Sequence, residues 1–165
     1  MQAGGFVKSA CSNLLILAGL AIVLAACSRR EGTIAISGDD VEMNAAIAKA
    51  RETLPEFWNV FDHREHGETE FSLKVKITDS HGTEHFWTDK IERRDGKIFG
   101  TIDNDAEIVK SVKLGQRLDI PEADISDWFY MRDGLMHGNR TLKVLIKHMP
   151  AQEAAKYKPL FANSD

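Results

Sequence analysis

The chain has 165 residues, with 21 Lys and Arg against 25 Asp and Glu and a net charge of −4. That length suits one domain and excludes a multidomain machine. Lys8 is the only charged residue among the first 26, so the remainder is acidic and has no Lys/Arg cluster of the kind nucleic acid demands.

The first 26 residues read as a signal peptide: a polar start with Lys8, then an apolar run from Leu14 to Ala26. The run falls short of the ~20 residues that span a bilayer as a helix. It ends in Leu24-Ala25-Ala26-Cys27, which resembles the bacterial lipobox. That resemblance implies cleavage before Cys27 and acylation of its thiol and new amine. Two or three chains, at about 0.8 kcal/mol per buried CH2, give a near-permanent anchor. The alternative is an ordinary secretory signal that leaves Cys27 as a stray thiol. Ser28, not Asp, follows the cysteine, which resembles the outer-membrane sorting signal of cells with two membranes and implies a domain facing the periplasm. Cys11, the other cysteine, is lost with the leader, so no thiolate chemistry is available to the mature domain.

Residues 27–38 are expected to form a lipidated tether, 39–158 one domain and 159–165 a frayed tail. Ser37, Asp39 and Asp40 are candidate caps for a helix carrying Met43, Ile47, Ala50 and Leu54 on one face. Pro55 stops that helix and can open a second, short one through Phe57, Trp58 and Phe61. From Phe71 the period becomes two: Phe71, Leu73, Val75 and Ile77 alternate with Ser72, Lys74, Lys76 and Thr78, as in a half-buried strand. Turns at Asp79–Gly82 and Arg93–Gly96 separate it from strands over about 84–91 and 97–102, an antiparallel meander. Gly100 marks a bulge or a close packing approach. Residues 117–120 and 125–131 are two further strands, 132–138 a loop, and Leu142, Leu145, Ile146 and Met149 a helical face capped by Asn139. A last helix runs from Pro150 to Tyr157. The expected fold is α+β: a curved antiparallel sheet of four or five strands, open or as a partly open barrel, with helices from both ends of the chain on one face.

The signals for chemistry are sparse. His81 and His85 flank the first hairpin turn and, with Asp79, form a weak metal candidate against the ordinary reading of a solvated polar turn. Asp103, Asp105 and Glu107 around Asn104 lack the glycine and terminal glutamate of a calcium loop and read as a capped turn. Asp127 beside Trp128 is the one carboxylate with a hint of desolvation, against the reading of an Asp bonded to backbone at a strand end. No phosphate-cradling glycine loop or nucleophile elbow is present, and no cofactor is indicated. Trp58, Trp87 and Trp128 are core residues, or a binding platform if two share a cleft. Because His85, Trp87 and Asp89 share one strand face, the surroundings of Trp87 decide those of His85.

The run Phe71–Ile77, Asp79–Gly82, Glu84-His85-Phe86-Trp87, Gly100–Asn104, Gly115 and Ile125-Ser126-Asp127-Trp128, with Gly134 and Gly138 before Thr141-Leu142, resembles the YegJ-like bacterial family of unknown function. The likeness spans roughly residues 45–149. This chain departs from the family at Ala106-Glu107, where a proline is usual, and at Gly138-Asn139-Arg140-Thr141 in place of Gly-Gly-Tyr-Thr. The family brings no established activity; the resemblance implies that any shared function sits at Glu84, His85, Trp87, Asp103, Asn104, Asp127 and Trp128. Three functions are consistent with these readings. The first is a non-catalytic module that binds an envelope protein and is tethered to the membrane through Cys27. The second is an inhibitor or immunity protein with an exposed acidic or aromatic face. The third is a hydrolase-like enzyme using His85 and Asp127.

Overall fold

The computed structural model describes residues 40–162; the leader, Cys27, the tether and residues 163–165 lie outside the described residues. Asp40 caps α1 (Val41–Glu52), its carboxylate accepting from the Met43 amide at 2.7 Å. Pro55 has no amide hydrogen and restricts the residue before it, so α1 ends at Thr53 and Leu54 opens α2 (Leu54–His63). Leu54 therefore belongs to the second helix, not to the face of the first.

Six strands follow: β1 (Thr69–Asp79), β2 (Gly82–Arg94), β3 (Lys97–Ile102), β4 (Arg117–Asp119), β5 (Ile125–Arg132) and β6 (Leu135–Gly138). They form one antiparallel sheet in the order β4-β3-β2-β1-β5-β6. The sheet is open, not a closed barrel. Residues 120–124, three of them in a 3-10 turn, carry the chain from β4 to β5, which are four strand spacings apart in that order. A flat sheet would need ~19 Å for that step, more than so short a link spans, so the sheet curls.

β6 occupies part of what reads from sequence as a loop over 132–138. Its turn is Asp133-Gly134, both residues at positive φ, the same dipeptide and geometry as Asp95-Gly96 between β2 and β3. Such a two-residue turn matches the twist of paired strands. After β6 come α3 (Arg140–Leu145) and α4 (Ala151–Tyr157). Beyond α4 the chain returns to the sheet: Phe161 bridges Met136, and the Ala162 amide donates to the Met136 carbonyl at 3.1 Å.

One face of the sheet is the core side. Phe71, Leu73 and Val75 of β1 meet Phe57 and Trp58 of α2, with Trp128 and Tyr130 of β5 beside them. Phe57 is fully buried, with the rings of Trp58, Phe71 and Trp128 within 6 Å of its own. The indole of Trp128 donates to the Ala50 carbonyl at 2.8 Å, fixing α1 over β5. Farther along the same face, residues 103–116 fold back so that Val109 buries against Phe86 and Ile102. Gly100 is both a bulge site and a close approach: Lys90 and Ile91 of β2 face it where the β2–β3 register shifts, and a Cβ there would lie 2.9 Å from both Thr88 Oγ1 and Ile120 Cδ1. Among the described residues, no helix is long and apolar enough to cross a membrane.

Candidate functional site

The residues singled out from the sequence separate onto two faces. Glu84 projects on the core face, like its cross-strand partner Ile77. Its carboxylate accepts from the amides of Glu107, Ile108 and Val109 at 3.0–3.2 Å. Asp79 does the same from the preceding turn, accepting from Lys110 at 2.7 Å and Ser111 at 3.0 Å. Its carboxyl is held down to about 2 by backbone amides, that of His81 first. Asn104 completes the set, its side-chain oxygen accepting from the Trp87 amide at 2.8 Å. These three side chains pin residues 103–116 to the sheet. They satisfy amides of an irregular segment that has no ladder partner.

The metal candidate does not assemble. His81 Nδ1 is 3.4 Å from Asp79, but His85 turns to the other face and bonds Ser126. Among the described residues no three His, Cys, Asp or Glu side chains converge as metal ligands. Asp103, Asp105 and Glu107 likewise do not converge as a cation loop, and Glu107 instead contributes its amide to the Glu84 carboxylate.

On the outer face, Trp87, Lys74 and Asp127 form a row across β2, β1 and β5. Asp127 is only 1% exposed. Its Oδ2 accepts from the Thr141 amide and hydroxyl, both at 2.7 Å, and its Oδ1 from the amides of Trp128 at 2.9 Å and Arg140 at 3.2 Å. Asp127 thus supplies the cap of α3. Asn139, the cap expected from sequence, sits in the left-handed region and makes no capping bond. Lys74 bonds Thr141 Oγ1 at 3.2 Å, with its ammonium 5.2 Å from the centre of the Trp87 ring. Burial pushes the Asp127 carboxyl up, against the pull of its bonds and of Lys74, and pushes the Lys74 ammonium down.

Beside this row, β5 bulges at Ser126, where the β1 partner steps from Lys74 to Val75. The bulge turns Ser126 to His85, whose Nδ1 lies 2.7 Å from Ser126 Oγ, and the hydroxyl also donates to the Lys74 carbonyl at 3.2 Å. Burial, then the charges of Lys74, Lys76 and Arg51, push His85 down to about 4. It is a neutral imidazole at neutral pH. Ser126 is itself fully buried, so its hydroxyl holds the ring and does not meet a substrate.

The three tryptophans do not act as a group. Trp58 and Trp128 belong to the core. Trp87 lies half-buried on the outer face, edge to face with Phe129 at 5.1 Å. Phe129 was not a candidate from sequence, although its place two residues beyond Asp127 puts it on the Trp87 side. Clefts of about 470 Å³, at the β2–β3 turn and Asp119–Glu122, and about 190 Å³, between α2 and Arg132, both lie elsewhere.

Residues 40–161 match the family described as "Uncharacterized protein conserved in bacteria (DUF2314)". The chain belongs to this family. It is 36% identical over 142 residues to "Uncharacterized protein YegJ" of Escherichia coli K12, covering 86% of this chain and 92% of that protein. It is 28% identical over 127 residues to "Putative ankyrin repeat protein NMB1133/NMB1171" of Neisseria meningitidis serogroup B. That match takes in 72% of this chain and only half of the Neisseria protein. No solved structure matches the chain. Within the motifs quoted above, Glu84, Asn104, Asp127 and Trp128 are anchors of the fold. His85, Trp87 and Asp103 share the outer face with Asp127, which alone of these four is spent on capping α3.

Proposed function

We propose that this protein is a non-catalytic interaction module of the bacterial cell envelope, anchored by acyl chains on Cys27, that binds a protein partner across the outer face of β1, β2 and β5. The lipobox-like leader supports the location. The observation that carries the binding role is the division of the motif residues: the carboxylates of Glu84 and Asp127 and the amide of Asn104 are consumed in holding the fold, while Trp87 and Phe129 present aromatic surface beside a neutral His85. Aromatic side chains of this kind dominate the energetics of protein interfaces. Against the hydrolase reading, both oxygens of Asp127 already accept two bonds each, leaving the carboxylate no free role as a proton carrier.

The test is capture of envelope proteins by the lipid-free domain from Ser28 onward, wild type against Trp87→Ser, each confirmed folded by circular dichroism. A partner held by the wild type, lost by the variant and rebound after purification supports the reading. Identical capture by both forms sinks it. The open face, away from both clefts, equally suits an inhibitor or immunity protein; a captured envelope enzyme or toxin that loses activity on binding distinguishes that case.

A further inference from the structure

The outer face around Trp87 is electrically divided. On the β1 side stand Lys74, opposite Trp87, and Lys76, opposite His85. Lys76 is exposed and makes no ion pair among the described residues. Its neighbours at the start of β5 are Arg51, whose guanidinium rests on the Ile125 and Ala123 carbonyls, and the turn residues Glu122 and Asp124. On the β3 side stand Asp103, level with Trp87 because its amide donates to the Trp87 carbonyl, and Asp89, two residues along β2 from Trp87.

The acidic side is incompletely satisfied. Among the described residues, Asp89 Oδ1 is buried with no hydrogen-bond partner, and its Oδ2 has only the exposed Lys90 at 4.0 Å. Burial and then the charge of Asp89 push the Asp103 carboxyl up. The exposed Lys90 is one cation against these two carboxylates, its charge also pulling Asp103 down, so the pair can take a second. Between the two sides lies Trp87, with the ring of Phe129 reaching it from β5, edge to face at 5.1 Å.

The dimensions select a ligand. Strand geometry places the Lys76 and Asp89 backbones, and those of Lys76 and Asp103, ~12–14 Å apart. In an extended peptide, residues four positions apart are separated by ~13 Å and point to the same side, with the residue midway between them pointing there too. We propose that this strip binds an extended segment of a partner protein that carries an acidic and a basic residue four positions apart, on either side of an apolar residue. The acidic residue meets Lys76, the basic one meets Asp89 and Asp103, and the apolar one rests on Trp87 and Phe129. This inference rests on the interaction-module reading and specifies its partner.

The test titrates three acetylated, amidated heptapeptides into the isotope-labelled lipid-free domain by NMR: Thr-Glu-Thr-Val-Thr-Lys-Thr, and the forms in which both charged residues are Glu or both are Lys. The mixed peptide is expected to bind saturably, at least about tenfold tighter than either like-charged form, with shifts centred on Trp87, Phe129 and Lys76. The exposed substitution Lys76→Glu is expected to reverse the preference towards the Lys/Lys peptide. Equal binding of all three, no binding of the mixed peptide up to about 5 mM, or an unchanged preference in Lys76→Glu overturns the inference. A captured partner that needs Trp87 but still binds Lys76→Glu overturns the charge pattern and leaves the interaction reading standing. Capture indifferent to Trp87 removes both.

Discussion

Asp127 Oδ2 lies 2.7 Å from both the amide and the hydroxyl of Thr141, so the first turn of α3 is capped by a side chain from the middle of β5. A short helix has little stability of its own. Here its start is welded to the sheet, and its body packs beside α1. The same carboxylate holds the ladder together locally through the Trp128 amide and stands close to Lys74.

Removing that carboxylate is therefore a stability experiment. Asp127→Ala strands two buried donors of Thr141 and the Lys74 charge, and is expected to cost about 3–5 kcal/mol in urea unfolding. Asp127→Asn keeps one acceptor and is expected to cost about half as much. An Asp127→Ala protein of wild-type stability contradicts the capping role.

Gly138 makes a second, sharper contrast. It has φ +85°, and a Cβ there would lie 2.4 Å from the Trp128 carbonyl and 2.6 Å from its ring. Gly134 has φ +75° with nothing within 4 Å. Gly134→Ala is expected to cost only the left-handed backbone penalty, about 1 kcal/mol. Gly138→Ala is expected to cost about 3 kcal/mol or more, because a core tryptophan must move. Thermal unfolding of the two variants side by side checks the difference.

Much of this fold was legible in the sequence, and the misses have physical reasons. The alternation from Phe71 to Ile77 and the two Gly-terminated turns gave the meander, because period and turn chemistry are local. β6 was missed although Asp133-Gly134 is as good a hairpin signal as Asp95-Gly96, since Met136-His137-Gly138 lacks strand-forming side chains. The role of Asp127 was half visible: a backbone-bonded Asp was one of its two readings, but that its main partner is Thr141 depends on pairing between distant segments. The same holds for Glu84. A carboxylate in a strand looks like a site until its three amide donors, more than twenty residues away, come into view. Phe129 went unnoticed because the platform is aromatic across strands, and nothing local pairs it with Trp87.

His85 gives a pH dependence with a definite sign. Its folded value, about 4, lies below the ordinary 6.5, so the folded state binds its proton less readily than the unfolded chain. The stability due to the neutral ring is complete above pH 6.5 and is lost as pH falls towards 4. Burial presses it down first, then the charges of Lys74, Lys76 and Arg51. The raised Asp127 carboxyl contributes with the opposite sign, so the quantity to measure is the difference between wild type and His85→Gln. The gap in urea midpoint is expected to be constant from pH 7 to 8 and to shrink between pH 6 and 4. A gap independent of pH shows that His85 is not held neutral by the fold.

The anchor is tested apart from the domain. Full-length protein expressed in a bacterium grown with labelled palmitate is expected to take up label and sediment with membranes, and Cys27→Ala is expected to do neither. Soluble, unlabelled wild-type protein with an intact thiol at residue 27 points instead to ordinary secretion.

Glu84 offers the cleanest separation of local order from global stability. Its carboxylate and that of Asp79 hold residues 107–111 by their amides, over a small cluster of Phe86, Ile102 and Val109. Glu84→Gln keeps an acceptor oxygen but loses the charge that strengthens each bond; Glu84→Ala loses all of them. Each neutral bond contributes about 1 kcal/mol and a charged acceptor about twice that, but a loop that opens alone recovers solvent for its amides. Glu84→Ala is therefore expected to lower global stability by only about 1–2 kcal/mol, while hydrogen exchange at Ile108 and Val109 accelerates at least about tenfold. Exchange at Leu73 and Trp128, under the helices, is expected to change only as far as global stability does. Acceleration spread evenly over both regions means that the loop and the sheet unfold as one unit and that Glu84 serves the whole core.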